Sequence, residues 1–125
     1  IGSTSTCMAD AAPGAGIDTI DFDPAHTELA TANFDQYGVG DRVTAHCGDA
    51  DDVLPTLEGG AYDMAFFDGF APTASILGEM RRLLRPGGML VCANITLGGD
   101  GEEMLADPAA WHSHSLGETM LAVKR

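Results

Sequence analysis

The chain has 125 residues, with 19 Asp and Glu against 6 Lys and Arg, for a formal net charge of −13. That length is one domain with room for a sizeable core and none for a second domain. Binding nucleic acid through its phosphates needs a basic face that so acidic a chain lacks, and no apolar run approaches the roughly 20 residues of a membrane helix. Cys7, Cys47 and Cys92 are scattered, with no C-x-x-C pair, a pattern of free thiols in a reducing cytoplasm rather than of a disulfide framework or a zinc site. Abundant Asp with one lysine, Lys124, resembles the composition of proteins from salt-loving organisms. Stability rising with KCl is the corresponding expectation, and full stability in dilute buffer would count against it.

Ile1-Gly2 reads as the end of a strand whose earlier part is missing from this chain. A Ser3–Cys7 loop and a short helix over Met8–Ala12 follow, the hydroxyl residues being available as caps, and Pro13-Gly14 stops the helix. Ile17–Phe22 alternates in polarity and predicts a strand. Asp23 and Pro24 then suit the N-cap and first position of a helix over Ala25–Tyr37. Val43–Cys47 is the next strand, and Asp51 caps a helix over Asp52–Leu57.

The uninterrupted apolar run within Tyr62–Phe70 predicts a strand buried on both faces at the centre of a parallel sheet, with Asp68 at its carboxyl end. Thr73–Leu84 carries the clearest helical stripe, Arg85–Gly88 is a turn, and Met89–Ala93 is another buried strand ending at Asn94. A Gly-rich connection has one helical turn at Glu102–Leu105. His112–Leu116 and Thr119–Val123 form a closing hairpin around Gly117. This alternation predicts an α/β fold: a doubly wound, mostly parallel sheet with a C-terminal antiparallel hairpin, in a single domain over residues 1–125.

Ligands in such sheets sit beyond the carboxyl ends of the strands, which makes Asp68 a site candidate, although it serves equally well as a cap for the next turn. Asp21 closes the second strand nineteen positions after Gly2, a spacing at which an acidic residue accepts hydrogen bonds from ribose hydroxyls. The alternative places Asp21 in the capping turn, but Asp23 fills that role and leaves Asp21 free. Ser3, Thr4, Ser5 and Thr6 follow Gly2 in place of the spaced glycines that a pyrophosphate requires. A nicotinamide dinucleotide is thereby disfavoured, and S-adenosylmethionine, whose tail carboxylate suits a helix N-terminus, fits better. His112 and His114 alternate on the tail strand without a third ligand and read as surface or packing residues. Trp111 reads as the hairpin's anchor, and Cys92 as a small hydrophobe.

The order Ile-Gly-Ser-Thr-Ser-Thr, Ile-Asp-Phe-Asp-Pro, Gly-Asp-Ala-Asp-Asp-Val-Leu-Pro, Tyr-Asp-Met-Ala-Phe-Phe-Asp-Gly and Leu-Leu-Arg-Pro-Gly-Gly-Met-Leu-Val resembles class I S-adenosylmethionine-dependent methyltransferases. Within them it is most similar to the catechol-type and caffeoyl-CoA-type O-methyltransferases. The resemblance implies a Rossmann-like fold and methyl transfer to a small-molecule acceptor, at oxygen. It implies that Gly2 and Ser3 line the methionine end, that Asp21 binds ribose with Phe22 beside it, and that Asp49 and Ala50 contact adenine. Asp68 then lies nearest the transferred methyl as the catalytic residue.

The chain departs from the family pattern in three places. The family's Mg²⁺ site uses an Asp-Asn pair where this chain has Ala93-Asn94, so one metal carboxylate is missing and Asp68 with Asn94 makes only a weak Mg²⁺ site. The lysine base that often follows the strand-end Asp is absent from Gly69–Pro72. The helices that usually precede the first strand are absent too, so the acceptor site is open or covered by a partner chain, as in a homodimer. A domain that binds cofactor without catalysis is therefore the alternative to an enzyme, with a nicotinamide-dependent oxidoreductase behind both.

Overall fold

The computed structural model describes all residues 1–125, which form two compact units, Ile1–Val53 and Leu54–Arg125. In the first unit, β1 (Ile17–Asp21) and β2 (Val43–Cys47) pair in parallel from Ile17↔Val43 to Asp21↔Cys47. The connection between them is α2 (Pro24–Gln36), with Asp23 as its N-cap: Asp23 Oδ1 accepts the Ala25 N–H at 2.8 Å. A parallel pair needs such a crossover, and the proline fits because the first helical N–H has no partner inside the helix.

Ala30 and Phe34 of α2 join Ala9, Val39 and Val43 in this unit's core. Leu29, on the same helix, is exposed. The first helix also begins earlier than the sequence suggests: α1 spans Ser3–Ala11 and takes in the Ser/Thr run. Its N-cap is Gly2 at φ 78°, with no side-chain cap. The hydroxyls bond inside the helix instead, as when Thr6 Oγ1 donates to Gly2 O at 2.9 Å, an alternative to capping open to Ser and Thr. Ile1 and Gly2 pair with no strand. Arg42 Nη1 donates to Ala9 O at 2.8 Å and to Ala12 O at 3.2 Å, which fastens the end of α1 beside the start of β2.

The third helix is also displaced from the sequence reading. Asp49 is its cap, with Oδ1 accepting the Asp51 N–H at 3.0 Å, and α3 covers only Ala50–Val53. Leu54–Thr56 continues as a single 3-10 turn. Pro55 brings no N–H to an α-helical ladder, which is why the helix stops so soon.

The second unit holds a four-stranded mixed sheet in the order β3-β4-β6-β5, made of β3 (Tyr62–Phe67), β4 (Leu84–Cys92), β5 (Trp111–Leu116) and β6 (Thr119–Lys124). β3 runs parallel to β4, and the other two ladders are antiparallel. Gly117, at φ 64°, turns the β5–β6 hairpin as its sequence predicts.

β3 is not buried on both faces. It is the edge strand of this sheet, and Met64 and Phe66 remain 43% and 38% exposed. An apolar run reports that a strand is hydrophobic, not how many of its faces are covered. The predicted Arg85–Gly88 turn falls inside β4, where pairing jumps from Tyr62↔Leu84 to Met64↔Met89. Gly88 is required there, because a Cβ would stand 2.9 Å from Arg85 O and 3.1 Å from Tyr62 O.

α4 (Ala74–Leu83) buries Leu77, Met80 and Leu83 and is capped by Thr73, whose hydroxyl accepts the Ile76 N–H. With α5 (Gly101–Leu105), it belongs to a core that includes Leu84, Leu90, Cys92, Ile95, Leu105, Trp111 and Met120. Trp111 is only 3% exposed, as expected of the hairpin's anchor. Lys124, the one lysine, donates from Nζ to Leu84 O at 2.6 Å. No helix is long and apolar enough to cross a membrane.

Candidate functional site

In the first unit the parallel register brings the carboxyl ends of β1 and β2 side by side. Asp21 pairs with Cys47, and the Gly48 N–H donates to Asp21 O at 3.0 Å. The two strand-end loops, Asp21-Phe22 and Asp49-Ala50, are therefore neighbours. Arg42 holds the carboxyl end of α1 at the opposite end of the ladder. The amino end of α1 lies against the second half of α2, where Asn33 Nδ2 donates to Ile1 O at 3.0 Å.

Gly2 packs against α2 so closely that a Cβ would stand 2.9 Å from Phe34 Cε1 and 3.3 Å from Ala30 Cβ. The glycine accordingly has a packing reason of its own. Ser3 is exposed, and it opens a helix whose first N–H groups have no partner inside the helix. Phe22 is 78% exposed, an apolar ring held in solvent beside a carboxylate.

Asp21 is not the free carboxylate that the sequence suggests. Its Oδ1 accepts the Asp23 N–H at 2.9 Å, and its Oδ2 lies 3.3 Å from His26 Nδ1. Sequence reasoning passed over His26. The available signal was its position as the third residue of a helix capped by Asp23, from which a side chain reaches back over the N-terminus. Asp49 likewise combines its strand-end position with the capping of α3.

Asp68 stands in the second unit, one residue beyond β3, and its side chain is exposed. Asn94, just past β4, donates from Nδ2 to Asp68 Oδ1 at 3.0 Å and to Gly69 O at 3.3 Å. Asn94 is the only non-glycine residue at positive φ, 57°, a left-handed conformation that Asn tolerates better than most residues. The backbones of the two strand ends are joined as well, the Ala93 N–H donating to Phe67 O at 2.9 Å.

This donor set does not fit Mg²⁺. The ion takes hard oxygen ligands, usually with one or two carboxylates. Here Ala93 supplies none, Asn94 turns an amide donor toward the single carboxylate, and no group of three or more His, Cys, Asp or Glu side chains is arranged to hold a metal ion. His112 and His114 are exposed on the hairpin. Cys92 is fully buried, and that burial pushes its thiol up to about 11. Cys7 and Cys47 are exposed free thiols.

The α/β topology places the chain in the Rossmann-like class. An O-methyltransferase of tomaymycin synthesis from Streptomyces achromogenes, solved in complex with SAM, superposes with a TM-score of 0.83 at 27% identity, over 98% of this chain and 68% of that one. A caffeoyl-CoA O-methyltransferase structure from Staphylococcus aureus matches with a TM-score of 0.85, over 99% of this chain and 71% of that one. At 16% identity it speaks for the fold alone.

A family model described as a methyltransferase domain matches residues 1–95, and the chain belongs to that family. Among curated relatives, a catechol O-methyltransferase of Mycobacterium tuberculosis is 36% identical over 98 residues, covering 78% of this chain and 44% of the relative. A catechol O-methyltransferase of Niastella koreensis is also 36% identical, over 103 residues, with 78% and 47% covered. The chain thus spans about half the length of the curated relatives it matches.

Proposed function

We propose that this chain provides the S-adenosylmethionine-binding part of a methyltransferase that acts on oxygen of a small-molecule acceptor. The observation that carries the reading is the carboxyl edge of the β1–β2 ladder. There a partly exposed carboxylate and an exposed aromatic ring stand beside the Asp49-Ala50 loop that ends the neighbouring parallel strand. In this reading Asp21 accepts the ribose hydroxyls, Phe22 offers its ring to the adenine, and Asp49 and Ala50 border the base. The unpaired N–H groups at Ser3 receive the carboxylate of the methionine tail.

S-adenosylmethionine supplies an electrophilic methyl on a sulfonium. The chain's task is then to hold that methyl in line with the acceptor oxygen, which can supply much of the acceleration without acid or base chemistry. Asp68 is assigned the reacting end, as a carboxylate that accepts a hydrogen bond from the acceptor hydroxyl and takes up its proton as the new C–O bond replaces the C–S bond and S-adenosylhomocysteine leaves, while Asn94 fixes its orientation. Because the strand-end donors do not suit Mg²⁺, transfer is proposed to be metal-independent. The three free thiols fit a reducing cytoplasm.

Calorimetry with S-adenosylhomocysteine, S-adenosylmethionine and NAD tests the cofactor. The adenosyl compounds should bind and NAD should not, and failure of both adenosyl ligands would refute the proposal. Asp21→Ala should weaken adenosyl binding at least tenfold, about the worth of hydrogen bonds to a charged group. Methyl transfer to catechols and related phenols, assayed with Mg²⁺ and with EDTA, should proceed equally in both. Cofactor binding without transfer to any acceptor would favour the alternative of a binding domain, for which the missing lysine base and the substitution at Ala93 already speak.

A further inference from the structure

The carboxylate of Asp21 is partly committed before any ligand arrives. Oδ1 accepts the Asp23 N–H at 2.9 Å, and Oδ2 lies 3.3 Å from Nδ1 of His26. An ionised carboxylate offers about four lone-pair sites and no proton. The hydrogen of the second contact is therefore carried on Nδ1, and one acceptor site remains open on each oxygen. Two acceptors on one planar group match two adjacent hydroxyls on a sugar ring. Asp21 can serve a cis-diol this way only while its plane is held, since the terminal torsion of an Asp side chain has a broad energy well.

One point of support comes from backbone, the Asp23 N–H; the other comes from His26. The imidazole projects from a firm base. Pro24 fixes the first residue of α2, and Thr27 closes the turn, its N–H donating to Asp23 O at 3.0 Å and its hydroxyl to the same oxygen at 3.1 Å. The ring's Nε2 lies 3.9 Å from Asp23 Oδ2, so His26 stands between the two carboxylates of the loop.

We infer that His26 is a positioning residue that orients Asp21 for an intact ribose diol and so sets the preference for ribosyl over deoxyribosyl ligands. The inference rests on the nucleoside reading of Asp21. It adds a residue that touches no ligand and acts through the carboxylate alone. Its signature is selective: loss of the imidazole should reduce recognition of the diol and leave the rest of the ligand's contacts intact.

The test measures affinities for S-adenosylhomocysteine and its 2′-deoxy analogue in the unaltered chain and in His26→Leu, His26→Gln and Asp21→Ala, with thermal melts by circular dichroism to confirm folding. His26 is exposed, so its replacements should fold. His26→Leu should bind S-adenosylhomocysteine on the order of tenfold more weakly, the scale of one lost hydrogen bond to a charged group. It should bind the deoxy analogue about as the unaltered chain does, so that discrimination between the two collapses. His26→Gln retains an N–H donor and should recover part of the discrimination. If both ligands weaken equally in His26→Leu, or neither changes while Asp21→Ala loses affinity, the inference fails and the nucleoside reading stands. If Asp21→Ala binds as tightly as the unaltered chain, or that chain binds neither ligand, the nucleoside reading fails and the inference with it.

Discussion

Replacing Gly2 with Ala isolates how much of the first unit depends on one missing Cβ. Two independent penalties meet at this position. The backbone sits at φ 78°, where an L-residue with a Cβ costs about 1–2 kcal/mol relative to glycine. The added methyl would also stand 2.9 Å from Phe34 Cε1, 3.2 Å from its Cζ and 3.3 Å from Ala30 Cβ. Phe34 is only 1% exposed and has little room to retreat, so overpacking adds about 1–3 kcal/mol. The expected loss is about 2–5 kcal/mol. Gly38→Ala supplies the control: φ is 70°, but nothing lies within 4 Å of the added Cβ, so only the backbone penalty of about 1–2 kcal/mol applies. Urea denaturation followed by far-UV circular dichroism measures both variants. The fluorescence of Trp111, the only tryptophan and part of the second unit, reports which unit is affected. Equal losses in Gly2→Ala and Gly38→Ala would show that the contact with Phe34 carries no energy and would refute the packing argument.

Arg42→Met keeps much of the apolar stem but removes the bonds to Ala9 O and Ala12 O; it should cost about 1–2 kcal/mol in the same urea experiment, and a change below a few tenths would show that α1 needs no clamp. Of the three thiols, Cys7 and Cys47 should react with a disulfide reagent within seconds to minutes in the folded chain, while buried Cys92 reacts only on unfolding. Because burial raises the Cys92 thiol from 9.0 to about 11, the folded state holds its proton more tightly than the unfolded state does. The associated stability is fully present below pH 9 and is lost as the pH rises through 11, by an amount on the order of 3 kcal/mol. Comparing alkaline denaturation with that of Cys92→Ala isolates the effect, and parallel pH profiles would refute it.

Local signals in the chain were enough to read most of the strand–helix alternation, the closing hairpin at Gly117, the Asp23-Pro24 start of α2 and the bounds of β2. These are local matters. Periodicity, φ requirements and caps act over a few neighbouring residues, and such signals survive in one dimension. The family was legible for the same reason, through short motifs in a fixed order.

Features that depend on neighbours distant in the chain were decided by tertiary structure. The Ser/Thr run after Gly2 belongs to α1 because that helix has α2 to pack against, and no local pattern announces that support. Met64 and Phe66 stay exposed although they sit in an apolar run, because coverage of a face is a property of the assembled layers. Asp21 looked free because Asp23 caps α2, yet a helix start also points its third residue backward. His26 therefore reaches the carboxylate in space, and at Asp68 the partner is Asn94, 26 positions away. Composition and spacing can nominate a carboxylate, but which donors already occupy its oxygens is fixed only when the strand ends and helix termini meet.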